Sequence, residues 1–234
     1  MMGEQWPRVF EKDVEVYEAF SRAEDEGNRL LDRLLALIAF RNGVVLEIGC
    51  GSGKYTELIA PESRRFLAID SSKRMIEFAR NRCRQIGKVR FIHCNAEMMP
   101  IPSLSIDLVF ASWTISGIVP EEARERAVNE CLRVLKSDGH VWLVENDCGG
   151  EFMEMRDPAS EGWDRENVAW LTEKHGFRIA ERVKTSFLFP SVEDARRTMG
   201  FILGESALDY MERNPKLRFS HNVLILHKSI QEGR

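Results

Sequence analysis

The chain has 234 residues, 44% apolar and 30% charged, with a formal net charge of −4 at pH 7. That length and apolar content can bury one sizeable core, which predicts a single α/β unit with appendages. The slightly acidic balance offers no global attraction to nucleic acid or to an acidic membrane, and the longest apolar run, residues 34 to 40, is far too short to span a bilayer.

In chain order, residues 1 to 40 predict an N-terminal helical cap. Trp6, Phe10, Tyr17 and Phe20 offer apolar anchors, and Leu30, Leu31, Leu34, Leu35 and Ile38 recur at helical spacing. A first buried strand at 44 to 48 breaks into Gly49-Cys50-Gly51-Ser52-Gly53, and a second at 66 to 70 ends in Asp70. Met75, Ile76, Ala79, Cys83 and Ile86 then mark a helix. Strands follow at 89 to 93 and 106 to 111, a helix begins at Pro120, and a fifth strand covers 140 to 145. Beyond these, Trp163 to His175 predicts a helix, Phe177 to Val183 a sixth strand and Phe219 to His227 a seventh. Between the last two strands, residues 190 to 215 predict a helical insert, capped by Ser191, interrupted by Gly204 and stopped at Asn214-Pro215. Residues 41 to 147 form the expected ligand-binding core and 148 to 234 the C-terminal part. Alternating helices and apolar strands imply a doubly wound parallel sheet covered on both faces, with ligands beyond the carboxyl ends of its strands.

The glycine loop carries the most specific signal. Closely spaced glycines after a buried strand let the backbone turn sharply and leave bare main chain for a ligand. A phosphate-binding P-loop would need glycine where Ile48 stands and Ser or Thr where Tyr55 stands, and the dinucleotide fingerprint would need glycine at Lys54. Glu47 beside the loop favours a cationic ligand over a pyrophosphate. Asp70, about 20 residues on, can accept hydrogen bonds from a ribose diol, so the pair reads as a nucleoside site.

In this loop and in four further segments, the chain resembles the class I S-adenosylmethionine-dependent methyltransferases, especially the small-molecule type. Glu47 to Gly53 resembles their first motif and Asp70 the acid closing their second strand. Asn95-Ala96-Glu97 resembles the segment that holds the adenine, 106 to 113 the fourth strand and active-site loop, and 131 to 141 the helix, turn and fifth strand. The resemblance covers residues 27 to 147. It implies a Rossmann-like, seven-stranded, mostly parallel sheet with an antiparallel last strand. It also implies S-adenosylmethionine as cofactor and a small-molecule acceptor methylated at oxygen, nitrogen, sulfur or carbon.

The implied cofactor contacts are Glu47, Gly49, Cys50, Gly51, Gly53, Asp70, Ser71, Met75, Asn95, Ala96, Glu97 and Ser112. Trp113 is expected to line the transfer pocket, and Glu145 and Asp147, beside Asn146 at the end of the fifth strand, to orient the acceptor or take a proton. Such a transfer needs placement more than functional groups, no metal is required, and the five histidines show no ligand spacing, so each is expected to be structural. The insert at 190 to 215 is read as a cap over the acceptor pocket.

Competing readings are an RNA methyltransferase and a cofactor-binding regulator or scaffold without turnover; Lys54 ranks a nicotinamide dehydrogenase last. For RNA there is one support, a basic run between Arg64 and Arg90 in which Lys73, Arg80, Arg84 and Lys88 are expected on one helix face. Nucleic acid is disfavoured as a partner, no membrane is involved, and a homodimer is left open. Five scattered cysteines without Cys-x-x-Cys spacing predict reduced thiols in a cytoplasmic protein that is neither exported nor anchored.

Overall fold

Buried aliphatic residues at every position but one form β1 (Val44–Ile48), the pattern of a strand covered on both faces. The computed structural model of the protein describes residues 13–41 and 43–230; Trp6 and Phe10 lie outside them. β1 pairs in parallel with β2 (Arg65–Asp70) on one side and β4 (Ile106–Ser112) on the other. β3 (Val89–His93) extends the sheet in parallel beyond β2, and β5 (Leu135–Asn146) beyond β4. β7 (Arg218–Ser229) inserts antiparallel between β5 and β6 (Arg178–Leu188), giving the order β3-β2-β1-β4-β5-β7-β6. The order reverses between β1 and β4, which opens the crevice where ligands of such sheets bind.

Two apolar layers cover the sheet. Leu46, Ile48, Val109 and Leu143 face α5 (Glu121–Val134) through Val128 and Cys131. On the other face Val45, Phe66 and Phe110 pack with Leu30 and Leu34 of α2 (Arg29–Leu37) and with Ile76 of α4 (Lys73–Arg82). Before α2 lies α1 (Val14–Ala23), whose Asp13 cap accepts a hydrogen bond from Val16 N, and after β1 comes the short α3 (Lys54–Ile59). α6 (Glu151–Glu154) and α7 (Ala159–Ala169) follow β5, with α7 running on into one π-turn over Trp170–Lys174. Among the described residues no helix is long and apolar enough to cross a membrane.

One expectation is corrected. α4 ends at Arg82, so Arg84 and Lys88 do not continue its face. Lys88 Nζ instead donates to the carbonyls of Pro61 and Ser63, at 2.8 and 2.7 Å, and Arg80 Nη2 to that of Phe91 at 3.0 Å. The insert between β6 and β7 does form two helices, α8 (Val192–Leu203) and α9 (Glu205–Arg213). Their apolar sides build a third core with Phe20 of α1, Phe152 of α6, and Phe187 and Phe219 of the sheet. Met199 of α8 is fully buried there. Met199→Ala is therefore expected to lower stability by about 2–5 kcal/mol, the cost of a methionine-sized cavity, read from the shift of the urea denaturation midpoint.

Candidate functional site

Beyond the carboxyl ends of β1, β2 and β4 lies a cavity of about 510 Å3. Its floor is the glycine loop. Gly49 N and Cys50 N both bond to the carbonyl of Ile69, which folds the loop back over the end of β2. Gly49 has φ +69°, and a Cβ there would come within 2.2 Å of Thr114 Oγ1; at Gly51, φ +52°, it would meet the Tyr17 hydroxyl at 3.0 Å. Only glycine leaves room for both neighbours. The Asp70 carboxylate accepts from Gly51 N at 2.9 Å and Ser72 N at 2.8 Å, while burial pushes its pKa above the ordinary aspartate range against those two bonds.

Above the loop the wall is aromatic. Trp113 sits at φ +48°, a left-handed conformation costing a bulky residue about 1–3 kcal/mol, with its main-chain N–H donating to Val144 O at 2.8 Å. Its ring lies 6.3 Å from Tyr55 and 5.8 Å from His221, and His221 in turn is 4.5 Å from Phe152. Trp113 Nε1, Tyr55 Oη and His221 Nδ1 are buried without a hydrogen-bond partner among the described residues. Behind the rings lie two polar pairs. His221 Nε2 meets Asn146 Oδ1 at 3.0 Å, and the Asp164 carboxylate pairs with the buried Arg156. Burial, reinforced by Arg156 and Lys54, lowers the His221 pKa to about 3, so its ring is neutral at physiological pH.

α1 forms the roof. Lys54 Nζ reaches up to the carbonyls of Ser21 and Glu24, at 2.7 and 3.0 Å, and to the Glu24 carboxylate at 3.4 Å. Burial lifts Glu24 to about 7, more than Lys54 can lower it. About one turn earlier, mid-helix, α1 is tied down where Arg82 Nη1 meets Glu18 at 2.9 Å.

Of the sequence-predicted residues, Gly49, Cys50, Gly51, Asp70 and Ser71 line the cavity, as do Asn95, Ala96, Glu97, Ser112 and Trp113. Five others do not. Gly53 opens α3 and backs onto Ala79, and Met75 is buried in α4. Glu47 is buried beneath the loop, where Thr56 bonds its carboxylate and burial lifts its pKa to about 8, so it does not present the negative charge expected of it. Glu145 turns away to Ser116 and is raised to about 7 by burial. Asp147 pairs with Arg182 at 2.5 Å on the sheet edge. Asn146, between Glu145 and Asp147, does line the cavity.

Arg156, Asp164 and His221 also line the cavity, although the sequence does not mark them and predicts a purely structural role for His221. No residue of the insert lines the cavity, so it is not a cap over the acceptor pocket; it supports Phe20 and Phe152, which do line it, from behind.

Residues 46–143 match the family model described as a methyltransferase domain. The chain is 32% identical over 126 residues to phosphoethanolamine N-methyltransferase 1 of Caenorhabditis elegans, covering 54% of this chain and 26% of that protein. It is 31% identical over 145 residues to an uncharacterised methyltransferase of Bacillus subtilis, covering 58% and 53%. The chain thus spans about a quarter and about half of the length of these two relatives. Among solved structures, the fold matches a methyltransferase of Bacillus halodurans with a TM-score of 0.60 at 20% identity, covering 86% of this chain and 98% of that one. It also matches the N-methyltransferase NodS of Bradyrhizobium japonicum in complex with S-adenosyl-L-homocysteine, with a TM-score of 0.55 at 19% identity, covering 95% and 90%.

The buried Glu47 makes stability depend on pH. Its pKa rises from an ordinary 4.5 to about 8 on folding, so the folded protein binds its proton more tightly than the unfolded chain. That contribution is complete below 4.5 and is lost as pH climbs through about 8. Glu47→Gln keeps the neutral shape and removes the titration. In melting scans from about pH 5 to about pH 9, the variant is expected to gain steadily on the parent as pH rises.

Proposed function

We propose that this chain, whose residues 46–143 match the methyltransferase domain model, is a class I S-adenosylmethionine-dependent enzyme that methylates a small-molecule acceptor in the cytoplasm, releasing S-adenosylhomocysteine. One observation carries the reading: a single cavity joins the glycine loop and Asp70 at one end to a closed aromatic wall at the other.

The residues fit the cofactor. Each oxygen of Asp70 accepts one main-chain hydrogen bond and keeps a further lone pair for a ribose hydroxyl. Gly49 and Gly51 leave the main chain bare beside it, and Ser52 Oγ is buried there without a partner among the described residues. Cys50, Ser71, Asn95, Ala96, Glu97 and Ser112 complete that end of the cavity. Glu47, Gly53 and Met75 shape the loop from beneath. When bound, S-adenosylmethionine supplies a methyl carbon already activated by its sulfonium charge.

What the chain supplies is placement in a dry site. Trp113, Phe152 and α1 wall the acceptor end, and Asn146 with the Asp164–Arg156 pair gives it polar contacts. Glu145 holds the loop after β4 by bonding Ser116 and takes no part in the transfer itself. A small-molecule acceptor suits the enclosed aromatic wall better than RNA does, because Lys88 and Arg80 of the basic run are bonded to the chain's own carbonyls.

Asp70→Ala is expected to weaken S-adenosylhomocysteine binding by about 1–3 kcal/mol, since it leaves the ribose and Gly51 N poorly paired. Titration calorimetry on variant and parent, with matched melting curves, checks it. Unchanged affinity would remove Asp70 from the site, and saturable NAD binding to the parent would overturn the reading.

A further inference from the structure

At the acceptor end of the cavity, positive and negative side chains stand in pairs. Arg156 Nη1 meets Asp164 Oδ2 and Nη2 meets Oδ1 at 3.4 Å, with the two side chains only 8% and 7% exposed. The same guanidinium lies 5.7 Å over the Phe152 ring. In the roof, Lys54 Nζ is taken up by the carbonyls of Ser21 and Glu24 and by the Glu24 carboxylate. His221 adds no charge, because burial keeps its ring neutral. The remaining charged residues of the lining, Asp70 and Glu97, belong to the cofactor end, and Glu97 is itself bonded to Arg126 at 2.6 Å. Among the described residues, then, no cation or anion at the acceptor end is left over for a charged ligand.

The rest of that end is aromatic, with Trp113, Phe152 and Trp163 in the wall and Phe20 in the roof. A charged group entering it gives up its hydration and finds each possible countercharge already opposed. Beside Arg156 a carboxylate or phosphate also meets Asp164, and beside Asp164 an ammonium also meets Arg156. A buried charge without a partner of its own is strongly disfavoured. A flat uncharged molecule carries no such penalty and can stack on the rings. Buried ion pairs add little stability over well-packed apolar residues, but this one sits where it rejects charge of either sign.

We propose that the methyl acceptor is an uncharged molecule with a flat, apolar body, and that the Arg156–Asp164 pair selects against its anionic and cationic counterparts. This rests on the methyl-transfer reading and narrows it to one chemical class of acceptor.

Titration with S-adenosylhomocysteine tests the methyl-transfer reading by itself; no binding removes that reading, whatever the acceptor probes do. On the full chain loaded with S-adenosylhomocysteine, naphthol, naphthoate and naphthylmethylammonium are then titrated by calorimetry at neutral pH. Naphthol is expected to bind on the order of tenfold or more tighter than either ion. Any apolar pocket would give that order, so two variants show whether the pair is responsible. Asp164→Asn leaves Arg156 without its countercharge and is expected to raise the affinity of naphthoate relative to naphthol on the order of tenfold. Arg156→Met is expected to do the same for naphthylmethylammonium. Melting curves establish that each variant is folded; one folded variant is enough, and the parent comparison needs neither. With methyl-labelled S-adenosylmethionine and a small-molecule cell extract, label is expected in the fraction that passes both anion and cation exchangers at neutral pH. The proposal is overturned if the parent binds either ion as tightly as naphthol or binds none of the three. It is equally overturned if a folded variant leaves the affinity ratios unchanged, or if label enters only a retained fraction.

Discussion

The bond from Gly51 N to the Asp70 carboxylate is the contact on which the site's shape depends. It joins the ends of two parallel strands and holds the glycine loop open over the crevice where the strand order reverses. With the loop fixed, Gly51 has room for the Tyr17 ring, and Tyr17 brings α1 over the cavity. Lys54, the first residue of α3, then reaches up to the end of α1. Each step presumes the one before: a loop that moved off Asp70 would carry Lys54 away from Ser21 and Glu24.

Burial governs the charges around this loop more than pairing does. Glu24, Glu47 and Glu145 are all raised to about 7 or 8, and burial is the largest cause in each. Glu24 has an ammonium beside it and Glu145 feels Arg124, yet neither returns to the ordinary carboxylate range. Desolvation outweighs such partners because the countercharge does not replace the full hydration shell of a carboxylate. Sequence alone presents Glu47 as a negative charge recognising a cation; in the fold it is a hydrogen-bonded spacer beneath the loop. Any attraction to a sulfonium must come from other groups of the cavity, among them Asp70, Glu97 and the aromatic faces.

The sheet was legible because its strands are short buried runs with clear ends. β1 and β3 fall at the expected residues, and the other five differ mainly by extension. The cofactor end of the cavity was legible too, since its residues lie in local motifs at the ends of those strands. At the acceptor end one misplacement has a simple cause. Along a strand successive side chains alternate between faces, so at the end of β5 Glu145 and Asp147 share one face and Asn146 takes the other. Val144 and Val223 lie in the layer with Phe110, and Leu143 and Leu224 in the opposite one; that parity assigns Asn146 and His221 to the same side. The expected roles fall on the acids because they are the chemically conspicuous residues, whereas parity places the amide at the cavity. His221, Arg156 and Asp164 carry no local signature at all. They meet only because β7 returns between β5 and β6, pairing Asn146 with Val223 and Thr185 with His221.

The sequence of the insert is right about two helices and wrong about a cap, and α1 explains both. An amphipathic hairpin between two strands must bury its apolar side somewhere, and the sequence does not say where. Here Ala195, Met199 and Ile202 close on Phe20 and Ala23 of α1, beside Phe152 and Phe187. Phe20 and Phe152 therefore belong to two structures at once, the core under the insert and the wall of the cavity. A change in how α8 packs would reach a bound acceptor through those two rings without any residue of the insert touching it. The insert thus affects the acceptor end by fixing where α1 and α6 sit, and shape is transmitted there because a packed core moves as a unit.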